Sequence, residues 1–197
     1  MMNMTTMAIT LTNSLLSLYL VIVVIRGILQ GSRADFYNPI SQLVARITNP
    51  PLTVLRKILP YGQRIDVSIV LLALIVQFAA IELALLAGGV VPVDPVRAGL
   101  WSVIGVLGLI VNIYLYALIG SIIVSWVAPG SSQPGVRLLY QVTEPIMAPV
   151  RSVIPALGGL DFSPIALFIA INLLQNLLLR VAVSSGLGPY LDLLIGL

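Results

Sequence analysis

The feature that most constrains this chain is a charged, proline-rich segment that occurs twice. A shift of 95 residues with no gap gives eight identities in the 30 positions that start at Pro39. The identical pairs are Pro39/Pro134, Leu43/Leu138, Thr48/Thr143, Pro50/Pro145, Arg56/Arg151, Pro60/Pro155, Asp66/Asp161 and Ser68/Ser163. Prolines and helix-capping residues, which determine backbone geometry, are prominent in this set. The sequence therefore predicts a duplicated module.

Four long apolar runs flank the two charged segments, at about 6–29, 67–91, 100–127 and 164–183. Each is long enough to cross a bilayer, which takes about 20 helical residues. Only 9% of the residues are charged, against about 25% in soluble domains. We predict an all-α polytopic membrane protein with two parallel repeats, 1–92 and 93–197. Each repeat has two transmembrane helices joined by two short amphipathic interfacial helices, and an axis along the membrane normal relates the repeats.

The short helices are predicted at about 39–59 and 134–154. Two sites in the first module combine a capping residue with a proline, as helix starts do: Asn38-Pro39 and Thr48-Asn49-Pro50. Thr143-Glu144-Pro145 predicts the same start in the second module. The apolar residues Ile40, Leu43, Val44 and Ile47 follow helical spacing. We expect these helices to lie in the headgroup plane, with a re-entrant hairpin as the alternative.

The long charged loops hold most of the basic residues. By the positive-inside rule they are predicted to be cytoplasmic, with both termini outside. The residues predicted to bind anionic lipid or a partner are Arg33, Arg46, Arg56, Lys57, Arg64, Arg137 and Arg151. The predicted helix caps are Asn38, Asp66 and Asp161.

Polar side chains also occur inside the apolar runs, at Arg26, Gln77, Glu82, Asn112, Asn172, Gln175, Asn176 and Arg180. The last four share one helical face, which should turn towards other helices because lipid is a poor neighbour for amides. Hydrogen bonding between helices is the favoured interpretation, and a transport path is the alternative. Arg26 either reaches the headgroups or points into the bundle. Trp101 and Trp126 are expected at the membrane interfaces, and a short surface helix is expected near Pro189.

The sequence contains no cysteine and no histidine. The usual ligands of zinc, haem and iron–sulfur clusters are therefore missing, and we predict no metal and no cofactor. A lipid-active enzyme would have to rely on Asp35, Asp66 or Asp161, and the last two are better explained as caps. Nucleic-acid binding is not expected, because most of the basic residues lie beside membrane spans.

The segment ADFYNPISQLVARITNPPLTVLRKILP and its second copy, LYQVTEPIMAPVRSVIPALGGLDFSP, resemble the YggT family of bacterial inner-membrane proteins. The family is also called YlmG and is related to plastid proteins. The resemblance covers nearly the whole chain. It implies a multi-pass protein of the bacterial inner membrane, with links to osmotic or ion homeostasis in some bacteria. For cyanobacterial and plastid relatives it implies links to division, nucleoid organisation or cytochrome assembly. The second copy departs from the first because Ser152 stands where Lys57 does.

Two functions from different classes are consistent with these observations. The first is a non-enzymatic scaffold or assembly factor that docks on anionic phospholipid or on a membrane-protein partner, with a second copy of the chain as one candidate partner. The second is a small ion channel or transporter lined by the intramembrane polar residues. The absence of a recognisable selectivity-filter motif favours the scaffold.

Overall fold

The structure is a computed structural model that describes residues 4–59, 66–90, 93–154 and 161–193. Within those ranges every regular element is helical: α1 (Met4–Gly31), α2 (Pro39–Leu55), α3 (Val67–Ala87), α4 (Pro95–Val127), α5 (Pro134–Val153) and α6 (Ser163–Ala182). A π-helical segment (Val183–Leu187) and a 3-10 helix (Gly188–Leu193) follow. Four helical regions are long and apolar enough to cross a membrane. The predicted all-α class with four spans is confirmed.

The four spans pack in sequence order. α1 lies along α3, α3 along α4 and α4 along α6, with a smaller contact between α1 and α4. The main core forms where Leu20 of α1 meets Leu72 of α3 and Leu109 of α4. Leu52 of α2 belongs to the same core. α1 and α6 are therefore the outer helices of the set, while α3 and α4 are the inner ones.

Helix α4 starts at Pro95, five residues before the predicted start of its span. The Asp94 carboxylate accepts a hydrogen bond from the backbone N–H of Arg97 at 3.2 Å. An aspartate cap followed by proline is a strong helix start, which explains why the helix begins before the apolar run.

The prediction of two short helices in each charged module is wrong. α2 runs without interruption through Pro50 and Pro51. Its buried residues Ser41, Val44, Ala45, Thr48 and Leu52 keep one helical phase across the two prolines. Burial of this continuous stripe holds the helix together although each proline removes a backbone hydrogen bond. The carbonyls left without a donor belong to Arg46 and Ile47, which are exposed residues.

α5 is also continuous, through Pro145 and Pro149. The two helices share a local feature two residues before the first interior proline of each. Thr48 donates its hydroxyl to the carbonyl of Val44 at 2.8 Å, and Thr143 donates to that of Leu139 at 2.9 Å. A buried threonine that bonds its own helix in this way supports a bend rather than a new helix start. The predicted caps at Thr48-Asn49 and Thr143-Glu144 are therefore interior helical residues.

The segment that follows α6 packs against α3 and α4, and its 3-10 helix, Gly188–Leu193, lies where a short helix was predicted near Pro189. Leu187 is completely buried, in a cluster with Ile81, Leu85 and Trp101. The indole N–H of Trp101 donates to the hydroxyl of Ser185 at 3.1 Å. Trp101 is thus an interior residue and not the interfacial one that was predicted, because the segment after α6 covers it. Trp126 is exposed.

Candidate functional site

Helices α2 and α5 meet at one end of the four spans. Asn38 begins α2, and its side-chain oxygen accepts the backbone N–H of Ile40 at 2.9 Å. The same side chain donates from Nδ2 to the carbonyl of Pro134, the first residue of α5, at 2.8 Å. A second bond joins the backbone N–H of Asp35 to Gln141 Oε1 at 3.0 Å. Asn38 is therefore both the predicted cap and a link between the helices.

Helix α2 presents three distinct faces. The first is the buried stripe that packs on the spans. The second is an exposed apolar row of residues spaced like one side of a helix: Ile40, Leu43, Ile47 and Val54. The third is polar and exposed, and it contains Gln42, Arg46 and Thr53. A helix with separate protein, apolar and polar faces suits a position at a bilayer surface.

α5 lacks the exposed apolar row of α2. Its outward residues include Arg137, Glu144 and Arg151, each about two turns from the next. The corresponding modules of the two halves thus differ in chemistry, since the first exposes apolar side chains and the second exposes charges.

The predicted basic residues divide into two groups. Arg33, Arg46, Lys57 and Arg137 are exposed, and within the described ranges none of them forms an ion pair. Arg56 and Arg151 are engaged in ion pairs. Arg64 lies outside the described residues. The first group is available for an anionic ligand.

Arg56 joins the end of α2 to the start of α3. Its Nη2 lies 2.6 Å from Asp66 Oδ2, and its Nε lies 2.8 Å from the same oxygen. The Asp66 side chain is fully buried, and its other oxygen accepts the backbone N–H of Ser68 at 3.0 Å. Asp66 is thus the N-cap of α3. This pair is a structural clamp between two helices.

Arg151 makes the equivalent connection in the second half, but at the surface. Its Nε donates to Asp161 Oδ2 at 3.0 Å, and its Nη1 donates to Glu144 Oε2 at 2.8 Å. The hydrogen bond from Arg151 to Glu144 is the main reason why the pKa of Arg151 is raised. Partial desolvation raises the pKa of Asp161, but hydrogen bonds from Ser163 and Arg151 outweigh it, so that pKa lies below its ordinary value.

The predicted cap at Asp161 is displaced by one position. Phe162 is the N-cap of α6, and Asp161 precedes it. The carboxylate of Asp161 still accepts the backbone N–H of Ser163 at 2.9 Å. It therefore satisfies an early N–H of α6 from just outside the helix.

The polar face predicted on α6 does not turn towards other helices as a unit. Gln175 donates to Asn112 Oδ1 of α4, which is the expected type of bond between helices. Asn172 and Asn176 each donate to a carbonyl of their own helix four residues earlier. Asn176 and Arg180 are exposed. The remaining polar residues face the outside of the protein because α6 packs only its Ile171 side on α4.

Three further intramembrane polar residues lie apart from that face. Gln77 is fully buried, and neither its amide nitrogen nor its amide oxygen has a hydrogen-bond partner within the described part of the protein. Glu82 Oε1 is also buried there without a hydrogen bond. The guanidinium carbon of Arg26 lies 5.9 Å from the ring centre of Phe36, in the loop after α1.

An apolar cleft of about 580 Å³ lies among α1, α3 and α4. Its walls include Gly27, Ile69, Ala73, Val106 and Ile110. None of the eight predicted intramembrane polar residues lines this cleft. The structure therefore does not bring those residues together around it as a polar path.

A family model described as CCB3/YggT matches this chain twice, over residues 5–87 and again over 100–182. The chain belongs to the CCB3/YggT family. The second match starts 95 residues after the first, which is the offset of the charged segment. The assignment to two domains remains a prediction.

Relatives from several bacteria cover most of this YggT-family chain. An uncharacterized protein of Pseudomonas aeruginosa is 41% identical and covers 98% of this chain and 99% of its own length. One from Vibrio alginolyticus is 39% identical and covers 82% of this chain and 88% of its own length. The uncharacterized protein YggT of Escherichia coli K12 is 32% identical, over 89% and 91% respectively. No solved structure matches the chain significantly.

Sequence reasoning missed the contact between the modules and the exposed apolar row. Gln141 gave no signal, because a single glutamine in an amphipathic helix is ordinary. The row was detectable in part. Ile40, Leu43 and Ile47 were recognised as one apolar face together with Val44, but only Val44 is buried.

Proposed function

We propose that this YggT-family protein is a non-enzymatic scaffold of the bacterial inner membrane. In this proposal the cytoplasmic end of the spans carries α2 and α5, and both termini lie outside. The two halves act as parallel repeats of the same module. Family membership supports a membrane protein, and the matched relatives are uncharacterized proteins whose names indicate no enzymatic activity.

The observation that carries the proposal is the exposed apolar row of α2 beside exposed cations. Leu43 is 56% exposed and Val54 is 58% exposed. Arg46 lies on the neighbouring polar face, and Lys57 follows the end of the helix. Such a surface inserts its apolar row at the acyl boundary while its cations meet anionic headgroups. α2 is therefore the docking element, and Arg56 and Arg151 are not part of it because their ion pairs hold the fold.

Lipid retention by the full-length protein tests this role. The protein would be reconstituted in nanodiscs of mixed phosphatidylglycerol and phosphatidylcholine, and the lipid it retains would be measured by mass spectrometry. We expect Arg46→Gln with Lys57→Gln to lower the retained anionic fraction. Arg137→Gln is the matched control, because it removes an exposed cation from α5, which lacks the apolar row. Equal retention of anionic lipid by the unmodified protein, the double variant and the control would contradict the proposal.

The alternative function is a small ion channel or transporter in osmotic homeostasis. Its support is the set of intramembrane polar residues, of which Gln77 is fully buried without a hydrogen bond in the described part of the protein. The scaffold has better support, because Asn172 and Asn176 donate to carbonyls of their own helix and Gln175 bonds to a single neighbouring helix.

A further inference from the structure

The apolar cleft among α1, α3 and α4 begins at the end of the spans that carries α2. Gly31, the last residue of α1, and Asp66, the N-cap of α3, both line it. Along α3 its wall extends from Asp66 to Leu74, a rise of about 12 Å at about 1.5 Å per residue. One leaflet of the hydrocarbon core is about 15 Å deep. The cleft is therefore long enough to reach through most of one leaflet.

One side of the cleft is open to lipid. Its inner wall includes Ala73 and Val106, which are 3% and 7% exposed. Val70, Val103 and Leu107 also line it, and they are 45%, 41% and 45% exposed. These exposed residues belong to the apolar spans α3 and α4, where the surrounding solvent is the acyl region of the bilayer. The cleft thus opens sideways, between α3 and α4.

The polar groups of the cleft lie at one end. Among the described residues that line it, those with polar side-chain atoms are Gln30, Asp66 and Tyr114. Gln30 and Asp66 are at the ends of their helices next to α2. Tyr114 is the last lining residue of α4, which runs opposite to α3, and so it lies towards the same end. The deeper wall is apolar. This polarity matches an amphiphile that enters with its apolar tail first and keeps its polar group at the mouth.

The mouth of the cleft also carries an exposed cation. The Arg56–Asp66 ion pair contributes no net charge there, because the two charges cancel. Arg33 is exposed and follows α1, and its backbone N–H donates to the carbonyl of Gln30 at 3.1 Å. The neighbouring carboxylate of Asp35 accepts a backbone N–H two residues further on. An arginine at this position suits a phosphate, which guanidinium groups bind through paired hydrogen bonds.

We propose that the cleft binds one acyl chain of a phospholipid, with the phosphate of that lipid beside Arg33. Its volume of about 580 Å³ falls within the range of about 300–1,000 Å³ that is usual for ligand pockets. None of the residues in the exposed apolar row of α2 lines the cleft. That row would rest on the bilayer surface, whereas this lipid enters between the spans. The inference therefore stands without the scaffold role.

Photolabelling of the full-length protein tests the site. The protein would be reconstituted in nanodiscs that contain phosphatidylglycerol with a diazirine in one acyl chain, irradiated, and analysed by mass spectrometry. We expect Ala73 and Val106 to be labelled about as strongly as Ile75, which is 48% exposed on the lipid side of α3. Leu72 and Val76 are the matched controls, because they are 6% and 7% exposed on the same helix but do not line the cleft.

Two labelling patterns would overturn the proposal. The first is a label confined to exposed positions such as Ile75, which would show that lipid stays outside the cleft. The second is a label on Leu72 and Val76 as strong as that on Ala73, because lipid would then reach buried positions without the cleft.

A variant that fills the cleft provides a second test. Ala73→Leu should lower the label on Val106 several-fold and leave the label on Ile75 unchanged. Ala84→Leu is the matched control, since it adds the same side chain to α3 at a position that does not line the cleft. Undiminished labelling of Val106 in folded Ala73→Leu would overturn the proposal. If that variant does not fold, the labelling pattern of the unmodified protein decides.

The position of the phosphate is tested with Arg33→Gln, which should also lower the label on Val106 several-fold. Arg46→Gln removes an exposed cation of α2 whose side chain does not line the cleft, and it should leave that label unchanged. This pair separates the cleft from the docking role of α2, in which Arg46 takes part and Arg33 does not. Equal labelling of Val106 in Arg33→Gln and the unmodified protein would overturn the placement of the phosphate.

Discussion

Arg56 and Asp66 form an ion pair of 2.6 Å between the end of α2 and the first turn of α3. The carboxylate is fully buried and the guanidinium side chain is 22% exposed. In the second half Arg151 and Asp161 repeat the pair with both side chains at the surface. An arginine–aspartate ion pair thus connects consecutive helices in both halves, with the carboxylate buried in the first half and exposed in the second.

The first prediction concerns the stability of these two connections. Arg56→Gln should lower the free energy of unfolding by about 3–5 kcal/mol, because it leaves a buried carboxylate without its counter-charge. Arg151→Gln should cost no more than about 1 kcal/mol, since exposed pairs contribute little. Chemical unfolding in detergent measures both values. Losses of similar size in the two variants would contradict the assignment of a buried and an exposed clamp.

The second prediction concerns acid. The pKa of Asp161 in the folded protein lies below its ordinary value of 3.8. Its charged form therefore stabilises the fold above that value, and this contribution is lost as the pH falls through the folded pKa. The measurement is the melting temperature of the protein and of Asp161→Asn as the pH is lowered. The variant should melt lower near neutral pH, and the difference should close in acid. A constant difference would contradict the prediction.

The third prediction concerns Gln77, whose buried amide makes no hydrogen bond within the described residues. Gln77→Leu should raise the free energy of unfolding by about 1–3 kcal/mol, because it removes a polar group that is buried without compensation. Gln175→Leu is the matched control. It breaks the bond to Asn112 and should lower stability by about 0.6–2 kcal/mol. A loss of stability in Gln77→Leu would indicate that the amide has a partner, such as bound water.

The sequence was sufficient to predict much of this architecture, and the reasons for its failures are physical. Apolar runs of about 20 residues identify spans whatever their neighbours are, and the caps at Asn38 and Asp66 depend on local geometry. The prolines of α2 led to the wrong prediction of a break between two helices. The effect of a proline on the backbone is local, whereas the burial that keeps α2 continuous depends on how it packs against the spans. The burial of Trp101 depends on the segment after α6, 84 residues further along the chain.

The candidate site was less predictable than the fold. Arg56 forms an ion pair with a carboxylate, whereas Arg46 remains exposed. The spacing of the basic residues in the sequence does not show which of them will form ion pairs. The polar face of α6 was visible as a pattern, but its direction depends on how α6 docks on α4.

The fourth prediction distinguishes the two proposed functions. Proteoliposomes with the purified protein should show no potassium or sodium flux above lipid-only vesicles after an osmotic step. Protein-dependent flux that Glu82→Gln or Arg180→Gln abolishes would contradict the scaffold and support the transporter.

In the proposed role, α2 lies in the bilayer surface with Leu43 towards the acyl chains and Gln42 towards water. Single cysteines at these adjacent positions, each labelled with the same fluorophore, would be compared in phosphatidylglycerol nanodiscs with brominated acyl chains. We expect strong quenching by bromine for the label at Leu43→Cys and weak quenching for the label at Gln42→Cys. The order should reverse with a water-soluble quencher. Equal quenching of both labels by either agent would contradict this orientation of α2.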